Sequence, residues 1–162
     1  MNHDETLRNL QTALAMELTA AHQYQLHASV LTDWGMDRLA TQMRLEMQEE
    51  LGHSDEYIAR IMFLKGQPTM ALAKTPVLVE SLVEMFESDL ADETEAIAFY
   101  SSAAQQAANN GDIGTRTLFE RIVMDEEGHM AWLELQLSLI KRIGEPAYIS
   151  KHISALGEAA QP

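Results

Sequence analysis

The sequence predicts an all-α fold: a four-helix bundle with a long crossover between the second and third helices and a short fifth helix at the C-terminus. Three observations support this prediction. Residues 1–67 and 77–145 contain no proline, which permits helices of about 30 residues. Good helix formers such as Ala, Leu, Met, Glu and Gln greatly outnumber Val, Ile and Thr, so strands are poorly supported. Apolar residues recur at alternating steps of three and four, which is the period of one helix face.

Glycine and proline separate the predicted helices. The first helix ends near Gly35 and the second near Gly66, while the third follows Pro76 and the fourth follows Asp112. Glycines in such places are typical of helix ends and turns. The connections after the first and third helices are short, which predicts two antiparallel helical hairpins.

The remaining segments complete a single predicted domain. Residues 66–75 form a longer connection bounded by proline, which suits a crossover along the bundle. Residues 147–156 are expected to form the fifth helix. The domain is expected to span residues 1–157, and residues 158–162 are expected to form a flexible tail.

Charge and cysteine content exclude several classes of function. The chain has 25 acidic and 11 basic residues, a formal net charge of −14, and no cysteine. Nucleic acids and anionic membranes are recognised by clustered Lys and Arg, so neither is expected as a partner, whereas cations are compatible. Without cysteine, iron–sulfur clusters and thiol catalysis are excluded. The N-terminal segment has no apolar run and no long apolar stretch follows, so we expect no signal peptide, no membrane span and a cytoplasmic location.

Four glutamates occupy positions on the apolar stripes, where residues that face the core are expected. An unpaired buried carboxylate costs several kcal/mol, and four close together would repel one another and take up protons. Multivalent cations bound among them are the usual physical solution. The four, each near the middle of one predicted helix, are Glu17, Glu50, Glu93 and Glu126.

Two Glu-x-x-His motifs strengthen the prediction of a metal site. Residues i and i+3 share a helix face, so the carboxylate and the imidazole of each motif can point at one place. The motifs begin at Glu50 and Glu126 and end at His53 and His129. One constant offset in residue number carries the first motif onto the second, and the same offset carries Glu17 onto Glu93 and Tyr24 onto Tyr100. The two hairpins are therefore predicted to be duplicated and related by a pseudo-twofold axis.

A centre of two metal ions held by four carboxylates and two imidazoles follows from this pattern. Such a mixture of oxygen and imidazole ligands suits iron or manganese better than calcium, and zinc can also bind. The same arrangement of ligands is known from ferritin-like di-iron and di-manganese proteins. Surface salt links between the glutamates and histidines are the simpler alternative, which the repetition of the motif disfavours.

At these residues the sequence resembles bacterioferritins and the related haem-free bacterial ferritins, over almost the whole chain. The stretches that carry the resemblance are His22-Gln23-Tyr24-x-Leu26-His27-Ala28, Asp33-Trp34-Gly35, Arg60-Ile61-Met62-Phe63-Leu64-x-Gly66, Ser88-Asp89-Leu90 and Asp125-Glu126-Glu127-Gly128-His129-x-x-Trp132-Leu133-Glu134. The resemblance implies a ferritin-like four-helix bundle and a hollow 24-subunit cage. In such a cage Fe(II) is oxidised and a ferric mineral is stored.

The resemblance also implies a role for each candidate ligand. Glu17, Glu50 and His53 match the residues that bind one iron. The residues that match the ligands of the second iron are Glu93, Glu126 and His129. Glu50 and Glu126 match the two bridging carboxylates. The implied activity is a ferroxidase that uses O₂ or H₂O₂ on bound Fe(II).

Two positions depart from the bacterioferritin pattern. Bacterioferritins place a haem-binding methionine directly after the glutamate of the first motif, and this chain has Leu51 there. We therefore expect no haem bound through this chain's own methionine, and expect Met47 and Met43 to be core or interface residues. A mixed cage, in which a sister subunit binds the haem, is the alternative. Leu45 replaces a histidine that holds an extra iron in some bacterioferritins, so that site is not expected in its usual form.

Other aromatic and histidine residues receive weaker predictions. Tyr24 is predicted to hydrogen-bond a metal ligand and to take part in one-electron chemistry, whereas Tyr100 and Trp132 are expected to serve only as core residues. The histidines expected at the surface or facing a cavity, without a metal role, are His3, His22 and His27. His152 is placed in the fifth helix, where a channel-lining residue and an ordinary polar residue are equally good interpretations.

Two classes of function compete. The first is an iron-storage ferroxidase that assembles into a cage. The second is a di-metal redox enzyme of the rubrerythrin or manganese-catalase type, which reduces peroxide without storing mineral. Rubrerythrins usually add a four-cysteine iron domain, and this chain has no cysteine, so the cage is favoured. A helical bundle with buried ion pairs and no catalysis is disfavoured by the duplicated motif.

Overall fold

The computed structural model describes residues 3–153 and places them in five α-helices. Their bounds are α1 Asp4–Asp33, α2 Asp37–Phe63, α3 Leu82–Asn109, α4 Ile113–Ile143 and α5 Glu145–Ser150. No strand occurs in residues 3–153, so the predicted all-α bundle with a short fifth helix is confirmed. The predicted tail at 158–162, and the last residues of the expected fifth helix, lie outside the described residues.

The four long helices form two hairpins. α1 packs chiefly against α2, and α3 chiefly against α4. Each hairpin turns within a few residues, through Gly35 in the first and Gly111 in the second, whose φ angles are +80° and +73°. Glycine adopts this left-handed region without the steric cost that a Cβ atom brings.

The crossover, residues 64–81, connects α2 to α3 along the outside of α1. Side chains of α1 fix its backbone at three places: Gln11 bonds Thr69, Thr19 bonds Ala73, and Gln23 bonds Val77. The crossover is longer than the predicted 66–75, because α3 does not begin directly after Pro76. It begins at Leu82, where the Ser81 hydroxyl accepts a hydrogen bond from the Glu84 backbone N–H at 3.1 Å.

Buried apolar residues form two clusters with the middle of the bundle between them. One cluster includes Leu14 of α1 and Phe119 of α4, and the other includes Leu31 of α1 and Phe86 of α3. Trp132 packs edge-on against Phe86 with ring centroids 5.8 Å apart, so its predicted packing role is confirmed. Among the described residues, no helix combines the length and apolar character needed to cross a membrane.

The fifth helix closes the end of the bundle that contains Leu31. Tyr148 of α5 is buried and its hydroxyl donates to Gln136 Oε1 of α4 at 2.8 Å. α5 ends at Ser150, so the placement of His152 within the helix is wrong. His152 follows the helix end, and its ring lies 4.4 Å from the ring of Tyr148.

Candidate metal centre

All six predicted metal ligands lie together in the middle of the bundle. Each long helix contributes at least one of them, and every one is at most 7% exposed. They come from α1 (Glu17), α2 (Glu50 and His53), α3 (Glu93) and α4 (Glu126 and His129). Because the glutamate and the histidine of each motif are three positions apart, they occupy one face of their helix.

The six side chains divide into two overlapping groups. In each group, one ligand atom from every member lies within 4.8 Å of the others. The first group is Glu17, Glu50, His53 and Glu126, and the second is Glu50, Glu93, Glu126 and His129. Glu50 and Glu126 belong to both groups, which is the arrangement expected of two bridging carboxylates.

Both histidines turn Nδ1 toward the carboxylates. His53 Nδ1 lies 3.2 Å from Glu126 Oε1 and 3.4 Å from Glu17 Oε2. His129 Nδ1 lies 3.0 Å from Glu50 Oε1 and 3.0 Å from Glu126 Oε2. The same nitrogen of each ring therefore faces the shared space.

These atoms are close to one another but do not form hydrogen bonds. Among the described residues, the buried atoms that lack a hydrogen-bond partner include Nδ1 of both histidines, Glu17 Oε2, Glu50 Oε1 and both Glu126 oxygens. Buried polar atoms without a partner are uncommon in native proteins. So many converging donor atoms fit a pair of cations, and their oxygen and imidazole chemistry fits iron.

The outer nitrogen of each histidine faces further carboxylates, with a hydrogen bond in the case of His53 and only close contacts in the case of His129. His53 Nε2 donates to Asp125 Oδ2 at 3.2 Å, and His129 Nε2 lies 3.3 Å from Glu49 Oε2 and 2.9 Å from Glu46 Oε2. Such contacts orient an imidazole and select its tautomer. The offset that relates the two motifs also maps Glu49 onto Asp125. The duplication therefore indicates that these two residues occupy equivalent positions, which the Glu-x-x-His motif alone does not indicate.

The two tyrosines hold the terminal carboxylates across the bundle. The Tyr24 hydroxyl of α1 donates to Glu93 Oε1 of α3, which confirms the predicted hydrogen bond to a candidate ligand. The Tyr100 hydroxyl of α3 donates to Glu17 Oε1 of α1 at 2.5 Å. The expectation that Tyr100 serves only as a core residue is therefore wrong, because the pseudo-twofold axis gives it the same contact as Tyr24.

His27 is another correction, because it is neither at the surface nor facing a cavity but fully buried. The Val77 N–H donates to Gln23 Oε1 at 2.8 Å, which leaves the amide nitrogen of Gln23 to donate to His27 Nε2, also at 2.8 Å. His27 Nδ1 then donates to Asp89 Oδ2 at 3.1 Å. Burial raises the pKa of Asp89, although this hydrogen bond opposes the rise. His22 is exposed, as expected.

Burial changes the protonation of the centre. It raises the pKa of Glu17 well above its usual range, with a further contribution from the charge of Glu50. It also raises the pKa of Glu93, to about 8. Burial opposes charge on His53 and His129, but contacts with several glutamates outweigh it and raise both pKa values. Protons thus offset the negative charge of the ligands when cations are absent, and cations that bind must displace them.

Comparison with known proteins identifies the family of the chain. The ferritin family, described as a ferritin-like domain, matches residues 7–143. A bacterioferritin of Rhodobacter capsulatus is 41% identical over 139 residues, which are 86% of each chain, and one of Brucella melitensis is 37% identical over 155 residues, 96% of each chain.

A solved structure of the Rhodobacter capsulatus bacterioferritin superposes with a TM-score of 0.92 and 38% identity, covering 95% of this chain and 96% of that chain. That structure is described as having a metal-free dinuclear site and haem iron in a crystallographic special position. The family match, the sequence identities and the superposition agree, and the chain belongs to the bacterioferritin family of ferritin-like proteins.

Proposed function

We propose that the protein oxidises Fe(II) at this centre and stores the ferric product as mineral inside a 24-subunit cage. Membership in the bacterioferritin family supports iron storage by a ferritin-like protein. The observation that carries the ferroxidase proposal is the pair of ligand groups that share Glu50 and Glu126. A helical bundle with only structural ion pairs would not leave so many buried donor atoms without hydrogen bonds.

The chemistry is the joint oxidation of two bound Fe(II) ions, which are the substrate. Two ions held close together give up two electrons to one molecule of O₂ or H₂O₂. With H₂O₂, the two electrons and two protons yield two molecules of water. Four carboxylates offset the four positive charges of two divalent ions, and they stabilise the ferric product more strongly than the ferrous substrate.

The surrounding residues keep the ligands in position for this reaction. Tyr24 and Tyr100 each hold one oxygen of a terminal carboxylate, which leaves the other oxygen free for a metal ion. Asp125 holds Nε2 of His53, so the proton of this imidazole stays on the side away from the centre. The two apolar clusters flank the centre on either side along the bundle.

The chain is proposed to bind no haem through its own methionine. Leu51 is 41% exposed on α2 and has no donor atom. Met43 is fully buried, as expected of a core residue, and Met47 is half-buried against the cluster that contains Leu31. Haem added to the purified protein is expected to give no stoichiometric bis-methionine spectrum, and such a spectrum would overturn this part of the proposal.

Aerobic titration with Fe(II) tests the proposed function directly. The wild-type protein is expected to oxidise iron and keep it in solution as ferric mineral, while the double variant Glu17→Ala/Glu50→Ala is expected to lose the fast phase. Glu87→Ala is a matched control, because Glu87 is an exposed glutamate of α3 outside the centre. Equal rates for the double variant and wild type would show that the centre is wrongly assigned.

Size-exclusion mass separates storage from the alternative of peroxide reduction. A 24-subunit cage elutes far above the mass of a single chain or of a dimer. A dimer that oxidised Fe(II) with peroxide but never assembled further would favour the rubrerythrin-like alternative over storage.

A further inference from the structure

A cavity of about 160 Å³ extends between α1 and α3 from the candidate metal centre to the surface. At its inner end it is lined by all four candidate carboxylate ligands and by Tyr24 and Tyr100. At its outer end it is lined by Lys74 of the crossover and by Asp92 and Glu95 of α3. Lys74 and Glu95 are exposed, so the cavity joins the buried centre to solvent.

The wall formed by α3 is acidic along the length of the cavity. Asp89, Asp92 and Glu93 all line it, and their spacing places them on one face of the helix. Asp92 lies near the mouth, where its side chain is 28% exposed, whereas Asp89 and Glu93 are buried. A narrow passage lined by one sign of charge concentrates the opposite ion, which here is a cation.

A lysine side chain spans the mouth of this acidic passage. Lys74 Nζ forms an ion pair with Asp92 Oδ1, which links the crossover to α3. The backbone of Lys74 is held in place, because its neighbour Ala73 donates to Thr19 Oγ1 at 2.8 Å and Val77 is bonded twice to Gln23. Opening of the mouth therefore requires movement of the lysine side chain, which is 54% exposed.

We propose that this cavity is a route by which Fe(II) reaches the centre, and that the Lys74–Asp92 ion pair controls its mouth. The inference rests on the proposed function. The lysine ammonium occupies the place beside Asp92 that an incoming cation needs, so each cation must displace it. Ion pairs between exposed side chains are weak, so the lysine slows cations without blocking them.

The test follows binding rather than oxidation, with Co(II) as a redox-inert probe of the assembled protein. Stopped-flow absorption gives the rate at which Co(II) reaches the centre in wild type and in Lys74→Met, which keeps the apolar stem and removes the charge. We expect the rate to rise about three- to tenfold, while the equilibrium affinity of the centre changes less than twofold. Lys141→Met is the matched control, because it removes the same charge from an exposed lysine at the end of α4, and its rate is expected to equal that of wild type.

A second variant tests the cavity itself. Ala20 lines the cavity from α1, and Ala20→Phe is expected to slow Co(II) binding at least threefold without changing the number of ions bound. Equal rates for Lys74→Met and Lys141→Met, or no slowing in a folded Ala20→Phe variant, would overturn the route. Failure of the proposed function would look different, since wild type would then bind Co(II) normally but not oxidise Fe(II).

Discussion

At the scale of single residues, hydrogen bonds from two tyrosines position the terminal carboxylates of the centre. Glu17 and Glu93 each present one oxygen to a tyrosine from the opposite hairpin. Both tyrosines are buried and lie two helical turns beyond the glutamate of their own helix. Each hairpin therefore donates one of these two hydrogen bonds to the other hairpin. Together the two bonds connect α1 to α3 beside the centre.

Removing either tyrosine hydroxyl should weaken the centre to a similar degree. Tyr24→Phe and Tyr100→Phe each leave one terminal carboxylate free to rotate, and changes to groups that orient ligands typically cost about 10- to 100-fold in metal affinity. Co(II) titration of the two single variants is expected to show losses within about threefold of each other. A large loss in Tyr24→Phe with none in Tyr100→Phe would contradict the symmetric role.

Metal affinity should rise with pH. The pKa of Glu93 is raised to about 8 by burial, and those of His53 and His129 are raised by the surrounding glutamates, so these groups hold protons at pH 7 in the metal-free protein. Because a metal ion binds only the deprotonated ligands, Co(II) affinity is expected to increase steadily from pH 6 to pH 9. Calorimetry in two buffers of different ionisation enthalpy should show that protons are released on binding at pH 7. Affinity that does not change over this range would contradict the prediction.

The candidate ligands could be found from sequence because their signal is local. A glutamate on an apolar stripe and a histidine three positions later are visible without a structure, and duplication indicates that they belong together. His27 could not be placed in the same way, because its partner Asp89 lies on another helix and has no motif of its own. The hydrogen bond of Tyr100 could have been predicted from the sequence, since the offset that relates the two motifs maps Tyr24 onto Tyr100 and the symmetry extends to the hydrogen bond.

At the scale of helices, the ends of α3 and α4 show how capping fixes the boundaries. Asp112 caps α4 by accepting from the Thr115 backbone N–H at 3.0 Å and from the Thr115 hydroxyl at 2.7 Å. Arg60 of α2 reaches the same place and donates to Asp112 Oδ1 at 2.5 Å and to Thr115 Oγ1 at 2.8 Å. This cap therefore also joins the two hairpins.

Loss of the Asp112 cap should destabilise the fold more than loss of the Ser81 cap of α3. An N-cap side chain contributes about 0.5–2 kcal/mol, and Asp112→Ala also leaves the half-buried Arg60 guanidinium without its carboxylate, so a cost of about 2–3 kcal/mol is expected. Ser81→Ala removes one exposed cap hydrogen bond and should cost about 1 kcal/mol. Denaturant unfolding of the metal-free protein measures both losses, and equal losses would show that the contact with Arg60 contributes nothing.

The start of α3 is a helix boundary that the apolar pattern of the sequence does not predict. The apolar period extends back to Val79, which is indeed buried, but burial there belongs to the crossover rather than to a helix. Periodicity reports which residues face the core, and it does not distinguish a helical turn from an extended segment packed on the same surface. The Ser81 cap and its bond from Glu84 decide the boundary.

At the scale of the whole molecule, the bundle has a polar layer between two apolar clusters. The clusters stabilise the fold, while the layer places four carboxylates and two imidazoles at positions where apolar side chains would be more stable. The long helices and the duplication were predictable, because they follow from composition and period. The cavity between α1 and α3 was not, since it depends on how the crossover lies across two helices that are distant in sequence.

Cation binding should therefore stabilise the metal-free protein, and most strongly at high pH. Groups with raised pKa values bind more protons in the folded than in the unfolded state, so the stability of the metal-free protein is expected to fall as the pH rises through about 8, the pKa of Glu93. A bound cation replaces those protons, and at a 100-fold excess over its Kd it adds about 2.7 kcal/mol per site.

Thermal unfolding at pH 6 and pH 9, with and without Zn(II), measures this balance. The midpoint of the metal-free protein is expected to be lower at pH 9 than at pH 6, and the increase caused by Zn(II) is expected to be larger at pH 9. The variant Glu17→Ala/Glu50→Ala should lose most of that increase, while Glu87→Ala should keep it. An equal increase in the double variant would mean that Zn(II) stabilises the protein from elsewhere, and that the polar layer is not where the cations bind.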